Sequence, residues 1–208
     1  MDCDWSLPES LEWPPPILSP VQRGILGGTF DPPHLAHLVA AEGAYRQLGL
    51  DVVSLLPAGD PWQKADRNVT PARHRLGMTR AAVEGVEYFE VDDREIHRVG
   101  PTYTIDTLES YPDDESLFLV LGSDSAVGLP SWHRWPEVLD RATLCVMVRA
   151  GVTRAEVEAS VGPVEWLDIP PLGIAGTRLR AMASRGQSLR FLIPDPVLRY
   201  IEKHQIYV

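Results

Sequence analysis

Two cysteines, Cys3 and Cys145, are all that the 208 residues contain, too few for a disulfide framework, which excludes a small disulfide-stapled scaffold. No apolar run approaches the roughly 18 residues of a membrane-spanning helix, so no membrane partner is expected. Positive charge is scarce. Lys and Arg total 19 against 29 Asp and Glu, and the net charge of −10 opposes nucleic-acid binding. An anion would need a locally positive pocket. The opening Met1-Asp2-Cys3-Asp4-Trp5 is acidic and has no apolar signal core, so a reducing cytoplasm is the expected location. Two nucleotide fingerprints are also missing. Neither Gly-x-Gly-x-x-Gly after the first strand nor Gly-x-x-x-x-Gly-Lys-Ser/Thr occurs, which counts against a dehydrogenase and a P-loop hydrolase.

What is present suits one globular domain, since 44% of residues are hydrophobic and can supply a core. Residues 1–21 carry Pro8, Pro14, Pro15, Pro16 and Pro20 without a period and read as an extended arm. Its Trp5 and Trp13 read as packing residues. Residues 22–208 read as a single domain. Strands are expected at 23–29, 52–56, 87–92, 117–121, 142–148 and 164–169, with helices at 35–48, 71–85, 103–110, 136–140 and 153–160 between them. This alternation predicts an α/β doubly wound parallel sheet. A C-terminal helical segment follows, 176–185 then 194–203. Gly49 reads as the stop of the first helix, Thr70 as an N-cap before Pro71, and Cys145 as a buried thiol.

The densest chemistry lies in Gly27-Gly28-Thr29-Phe30-Asp31-Pro32-Pro33-His34-Leu35-Ala36-His37, between the first strand and first helix. Glycine lets backbone approach a ligand, and a helix start offers N–H groups to an anion. Histidines three apart on a first turn share a side. The spacing alone more often marks a surface or structural pair; a metal pair more usually sits at i, i+4 with a third ligand, and no third ligand is evident. The glycines tilt the segment toward a phosphate cradle.

A second such segment is Gly173-Ile174-Ala175-Gly176-Thr177-Arg178-Leu179-Arg180. Thr177 reads as a cap, Gly176 as room for a phosphate, and Arg178 or Arg180 as the inward cation; a capped surface helix is the plain alternative. Lys64, in the loop after the second strand, reads as a phosphate clamp or a solvated lysine. Thr102 or Thr104 reads as a cap. Asp124, after the fourth strand, could accept from ribose hydroxyls or cap a helix.

Gly-Gly-Thr-Phe-Asp-Pro-x-His-x-x-His resembles the signature of the His-x-Gly-His nucleotidyltransferase superfamily, with Ala36 where the superfamily usually has glycine. Within it the chain most resembles the bacterial nicotinate-nucleotide adenylyltransferases, from about Arg23 to Tyr207. Ile174, Thr177 and Arg180 match that family's Ile-Ser-Ser-Thr-x-Ile-Arg, with Ala175 and Gly176 in place of the serines. Arg98-Val99-Gly100-Pro101-Thr102-Tyr103-Thr104 matches Arg-x-Gly-Pro-x-Tyr-Thr.

The resemblance implies a Rossmann-like nucleotidyltransferase fold and transfer of AMP from ATP to nicotinate mononucleotide, giving deamido-NAD and pyrophosphate. It implies charge stabilisation by His34, His37, Lys64 and Arg180. It places ATP on Gly27, Gly28, Thr29, Phe30, Gly122, Asp124, Ile174, Gly176 and Thr177. It places the pyridine nucleotide on Tyr103 and Thr104, with Trp132 stacking on the ring and the His133 main chain at the carboxylate. Magnesium is expected with ATP and no resident metal ligands are assigned. Nicotinamide mononucleotide or another phosphorylated precursor as acceptor, and a non-catalytic nucleotide sensor, are the other readings.

Overall fold

A computed structural model describes residues 20–59 and 69–207. Most of the proposed N-terminal arm therefore lies outside the described residues. Among the described residues six strands form one all-parallel sheet in the order β3-β2-β1-β4-β5-β6. They are β1 (Gln22–Gly28), β2 (Val52–Pro57), β3 (Phe89–Val91), β4 (Ser116–Gly122), β5 (Ala142–Met147) and β6 (Glu165–Leu167). Strand order reverses between β1 and β4, and ligands of such sheets bind beyond the carboxyl ends of the strands at that reversal. Gly28 and Gly122 end those two strands.

The helices are α1 (Leu35–Leu48), α2 (Ala72–Ala82), α3 (Arg94–His97), α4 (Thr104–Leu108), α5 (Ser123–Val127), α6 (Trp135–Arg141), α7 (Arg154–Val161), α8 (Gly176–Ala183) and α9 (Asp195–His204). The helix α1 turns Ala40, Ala41 and Ala44 inward, so small side chains let it lie close to the sheet. It stops at Gly49, whose φ of 62° is left-handed, as its composition predicts. Leu26, Val53, Leu55 and Val120 pack with α1 in one core, whereas Ile25, Leu56, Leu119 and Leu144 build another with α4, α6 and α7. A third core joins α2, α8 and α9 through Met78, Leu179, Val197 and Ile201. Among the described residues no helix is long and apolar enough to cross a membrane.

The expected doubly wound sheet and the closing pair of helices are both present. The edge strands are shorter than expected because β3 and β6 each pair on one side over three residues. The short α3 and α5 escape a period search, which needs several turns. The expected Thr70 cap is incorrect: Pro71 is the N-cap of α2. Thr70 is held outside the helix, its N–H donating to Asp31 Oδ2 at 3.1 Å and its carbonyl accepting from Arg75 Nε at 2.9 Å.

That Arg75 guanidinium is 1% exposed and donates to three carbonyls, those of Thr70, Thr29 (3.0 Å) and Gly59 (2.9 Å). It thereby joins the ends of two strands to the start of α2. Burial pulls the Arg75 pKa down, opposed by the nearby Asp31 carboxylate. Replacing Arg75 by leucine would strand three acceptors and the Asp31 charge. We expect Arg75→Leu to lower unfolding free energy by roughly 3–5 kcal/mol, read from urea denaturation.

Candidate active site

At the carboxyl edge of β1 the chain turns through Thr29, Phe30 and a cis Asp31–Pro32 bond into α1. Phe30 is 1% exposed and left-handed at φ 48°, a conformation that a bulky residue keeps only where its surroundings fix it. Its ring meets His37 edge-on, with centroids 4.9 Å apart. The Phe30 side chain thus packs against His37 and helps to position it.

The two imidazoles are stacked, 3.7 Å between centroids and 14° between planes. The His34 N–H donates to His37 Nδ1 at 3.2 Å, which places the proton of a neutral His37 on Nε2. His34 is 3% exposed, and burial followed by the charge of Arg149 brings its pKa down to about 4. His34 therefore acts as a neutral ring at physiological pH. Its Nδ1 is buried without a hydrogen-bond partner. Two of the α1 first-turn amides are engaged within the protein. Leu35 N–H donates to Leu192 O (3.1 Å) and His37 N–H to His34 O (2.9 Å).

The second segment meets the first. A cleft of about 120 Å³ is lined by Thr29, Phe30, Asp31, His34, His37, Gly176, Thr177 and Arg180. Arg180 Nη1 donates to Asp31 O at 2.7 Å and stands 3.7 Å from Asp31 Oδ2, while Arg178 is exposed. Arg180 is thus the inward cation. The expected Thr177 cap is incorrect: Ala175 is the N-cap of α8, and Thr177 is its second residue. The space at Gly176 is also filled differently than expected, because a Cβ there would stand 2.9 Å from the Asp31 carbonyl oxygen. Glycine here lets the Asp31 carbonyl approach α8, while Gly176 still lines the cleft. Ile174 packs into the C-terminal core.

Beside this cleft is a cavity of about 250 Å³ lined by Gly27, Gly28, Thr29, Thr102, Tyr103, Thr104, Trp132 and His133. Thr29 belongs to both. A Cβ on Gly27 would meet nothing within 4 Å, so the backbone there faces open space. The rings of Tyr103 and His133 lie 4.4 Å apart. No cap bond comes from Thr102 or Thr104, since Tyr103 is the N-cap of α4 without a side-chain bond, and Thr102 Oγ1 is buried without a partner. Arg134, next to His133, is turned to Glu109 and Glu137. Arg98 Nη1 donates to Thr107 Oγ1 (3.2 Å), which donates to Glu95 Oε1 (2.9 Å).

At the end of β4 a Cβ on Gly122 would stand 2.5 Å from both Arg149 Cδ and Asp124 Oδ1. Asp124 is exposed in the first turn of α5 and caps nothing with its side chain. Lys64 lies outside the described residues. Sequence reasoning missed Asp31, Arg75, Arg149 and Tyr207. Only Arg149 carried a usable signal, its place just past β5 at the edge where ligands of such sheets sit.

The depressed pKa of His34 sets a pH dependence. The unfolded chain, with an ordinary value of 6.5, binds more protons than the native one between pH 6.5 and about 4. Stability from this group is complete above 6.5 and declines as pH falls through that window, by a total on the order of 3 kcal/mol. Urea midpoints of wild type and His34→Asn should therefore converge on acidification from pH 7 to 4.

The family model for cytidylyltransferase-like proteins matches residues 25–182. A probable nicotinate-nucleotide adenylyltransferase of Pseudomonas putida strain W619 is 41% identical, covering 88% of this chain and 94% of its own. One from Methylibium petroleiphilum is 42% identical, covering 91% and 94%. The Plasmodium falciparum nicotinic acid mononucleotide adenylyltransferase complexed with NaAD superposes with a TM-score of 0.75 over 90% of this chain and 97% of its own, at 17% identity, a likeness of fold. With its two segments gathered on one cleft at the sheet reversal, and with that extent of identity, the chain belongs to the nicotinate-nucleotide adenylyltransferase family of cytidylyltransferase-like proteins.

Proposed function

We propose that the protein transfers AMP from ATP to nicotinate mononucleotide, forming deamido-NAD and pyrophosphate. The observation that carries the reading is the sharing of Thr29 by a cationic cleft and a cavity walled by aromatic rings. The triphosphate would lie along His34, His37, Thr177 and Arg180. The pyridine ring would rest in the neighbouring cavity against Trp132, with its carboxylate at the Thr104 and His133 backbone. The acceptor's 5′-phosphate would then reach the α-phosphorus near Thr29.

In-line attack by an oxygen that is already anionic needs no strong general base. The P–O bond to the pyrophosphate leaving group breaks as the new one forms, so catalysis rests on positioning and charge. His37 Nε2–H and the Arg180 guanidinium are donors suited to the charge gathering on the α-phosphate and the leaving group. Magnesium would enter with ATP and would supply further neutralisation of phosphate charge. Backbone donors around a carboxylate favour the acid over the amide, and the commitment of Arg134 to Glu109 and Glu137 leaves recognition to them. We place the enzyme in the reducing cytoplasm. The Cys145 thiol suits that location, being buried and pushed up to about 12 by desolvation.

A pyrophosphate-release assay with ATP and both mononucleotides tests this. Turnover should be specific for the acid, and ATP binding without turnover on either form would overturn the reading. His37→Ala should lose about 10²-fold or more in kcat with the fold intact. Adding EDTA should abolish turnover and excess magnesium should restore it.

A further inference from the structure

Asp31 is where four chain segments meet. Its side chain is 1% exposed. Oδ2 accepts the Thr70 N–H at 3.1 Å, and Oδ1 accepts the Tyr207 O–H at 2.5 Å. Its carbonyl accepts Arg180 Nη1 at 2.7 Å, and the same Nη1 stands 3.7 Å from Oδ2. Arg180 therefore sits between two anions, the buried carboxylate behind it and whatever occupies the cleft in front. Arg75, the other cation near Asp31, is already bound to three carbonyls. Arg180, with a 26% exposed side chain, is the one able to move.

A carboxylate and a guanidinium at this range tend to close into a bidentate pair. Here they have not closed. The two hydrogen bonds to Asp31, one on each oxygen, fix its plane. The Thr70 bond is backbone and cannot be altered by side-chain change. The Tyr207 bond comes from the segment after α9, where Tyr207 is held left-handed at φ 69°. Its neighbour Ile206 is anchored in the C-terminal core and donates its N–H to Ile201 O at 3.1 Å. A bulky residue stays left-handed only where packing fixes it. The Tyr207 oxygen also lies 3.8 Å from Met78 Sδ, a weak second acceptor. Burial and the Asp31 charge both raise the Tyr207 pKa, so the phenol keeps its proton and remains a donor.

We propose that Tyr207 is a positioning residue for ATP: by fixing the Asp31 carboxylate through its hydroxyl, it keeps the Arg180 guanidinium available to the triphosphate. The proposal rests on the assignment of the cleft to ATP. Without the hydroxyl, Asp31 turns and pairs with Arg180, and the cleft loses its cation.

Equilibrium binding of a non-hydrolysable ATP analogue to the full chain reads this without needing turnover. Tyr207→Phe should weaken binding about tenfold, because Arg180 gives up one charged contact to the triphosphate, while the chain stays folded with a lowered urea midpoint. Adding Asp31→Asn to Tyr207→Phe should restore affinity to within about twofold, because the competing charge is gone. In an Arg180→Ala background, Tyr207→Phe should have no further effect. Unchanged affinity in Tyr207→Phe, a double variant weaker than the single, or an unfolded Tyr207→Phe chain would each overturn the proposal. Wild-type turnover measured alongside separates the two readings. A chain that binds the analogue yet releases no pyrophosphate sinks the enzymatic reading alone, and one that binds no analogue sinks both.

Discussion

The buried guanidinium of Arg75 is the contact on which the geometry of both cavities depends. Strand β1 delivers Thr29 to the boundary between them, strand β2 leads to Gly59, and Thr70 precedes α2. Nothing in the sheet ladder fixes these three points to one another, because all lie past the last paired residues. One planar fork with five donors does so, taking a carbonyl from each. Its charge is balanced by Asp31, which holds the neighbouring turn and, through its carbonyl, Arg180. A cation used as a structural tie thus sits directly behind a cleft suited to anions.

This local arrangement resolves an apparent contradiction of an acidic protein built to hold polyphosphate. Net charge is −10, yet Arg75, Arg149 and Arg180 gather at one edge of the sheet. His34 does not add a full charge to them. Two rings stacked at 3.7 Å would repel if both were protonated, and His34 is held neutral by burial and by Arg149. The cleft therefore sets a neutral imidazole beside a guanidinium, which limits like-charge repulsion within it.

Much of this was legible in the chain. The apolar runs and their spacing predicted six strands, and the glycine and histidine segment fell at the strand-order reversal that the topology later defined. Those signals are local, carried by residues within one or two turns of each other. The residues that escaped notice work through partners far away in sequence. Arg75 reads as one more helix-surface cation among Arg73 and Arg80, and only the folded turn shows three carbonyls waiting for it. Asp31 precedes two prolines and Tyr207 lies beyond the expected 194–203 helix, and nothing local marks either as the other's partner. The capping expectations failed for a related reason. Thr70 and Thr177 have the right side chains, but the amide of Thr70 is drawn to Asp31 and α8 begins two residues earlier than a Thr177 cap would require.

The dependence of α1 on the C-terminal segment has an ordering consequence. The sheet closes with β6 at Leu167, but Leu35 is tethered by Leu192, Asp31 by Tyr207, and the cleft takes Arg180 from α8. During synthesis on the ribosome the whole nucleotide-binding sheet therefore emerges before the grip on polyphosphate exists. A nascent chain displays the signature histidines early and becomes competent only when its last helices have docked.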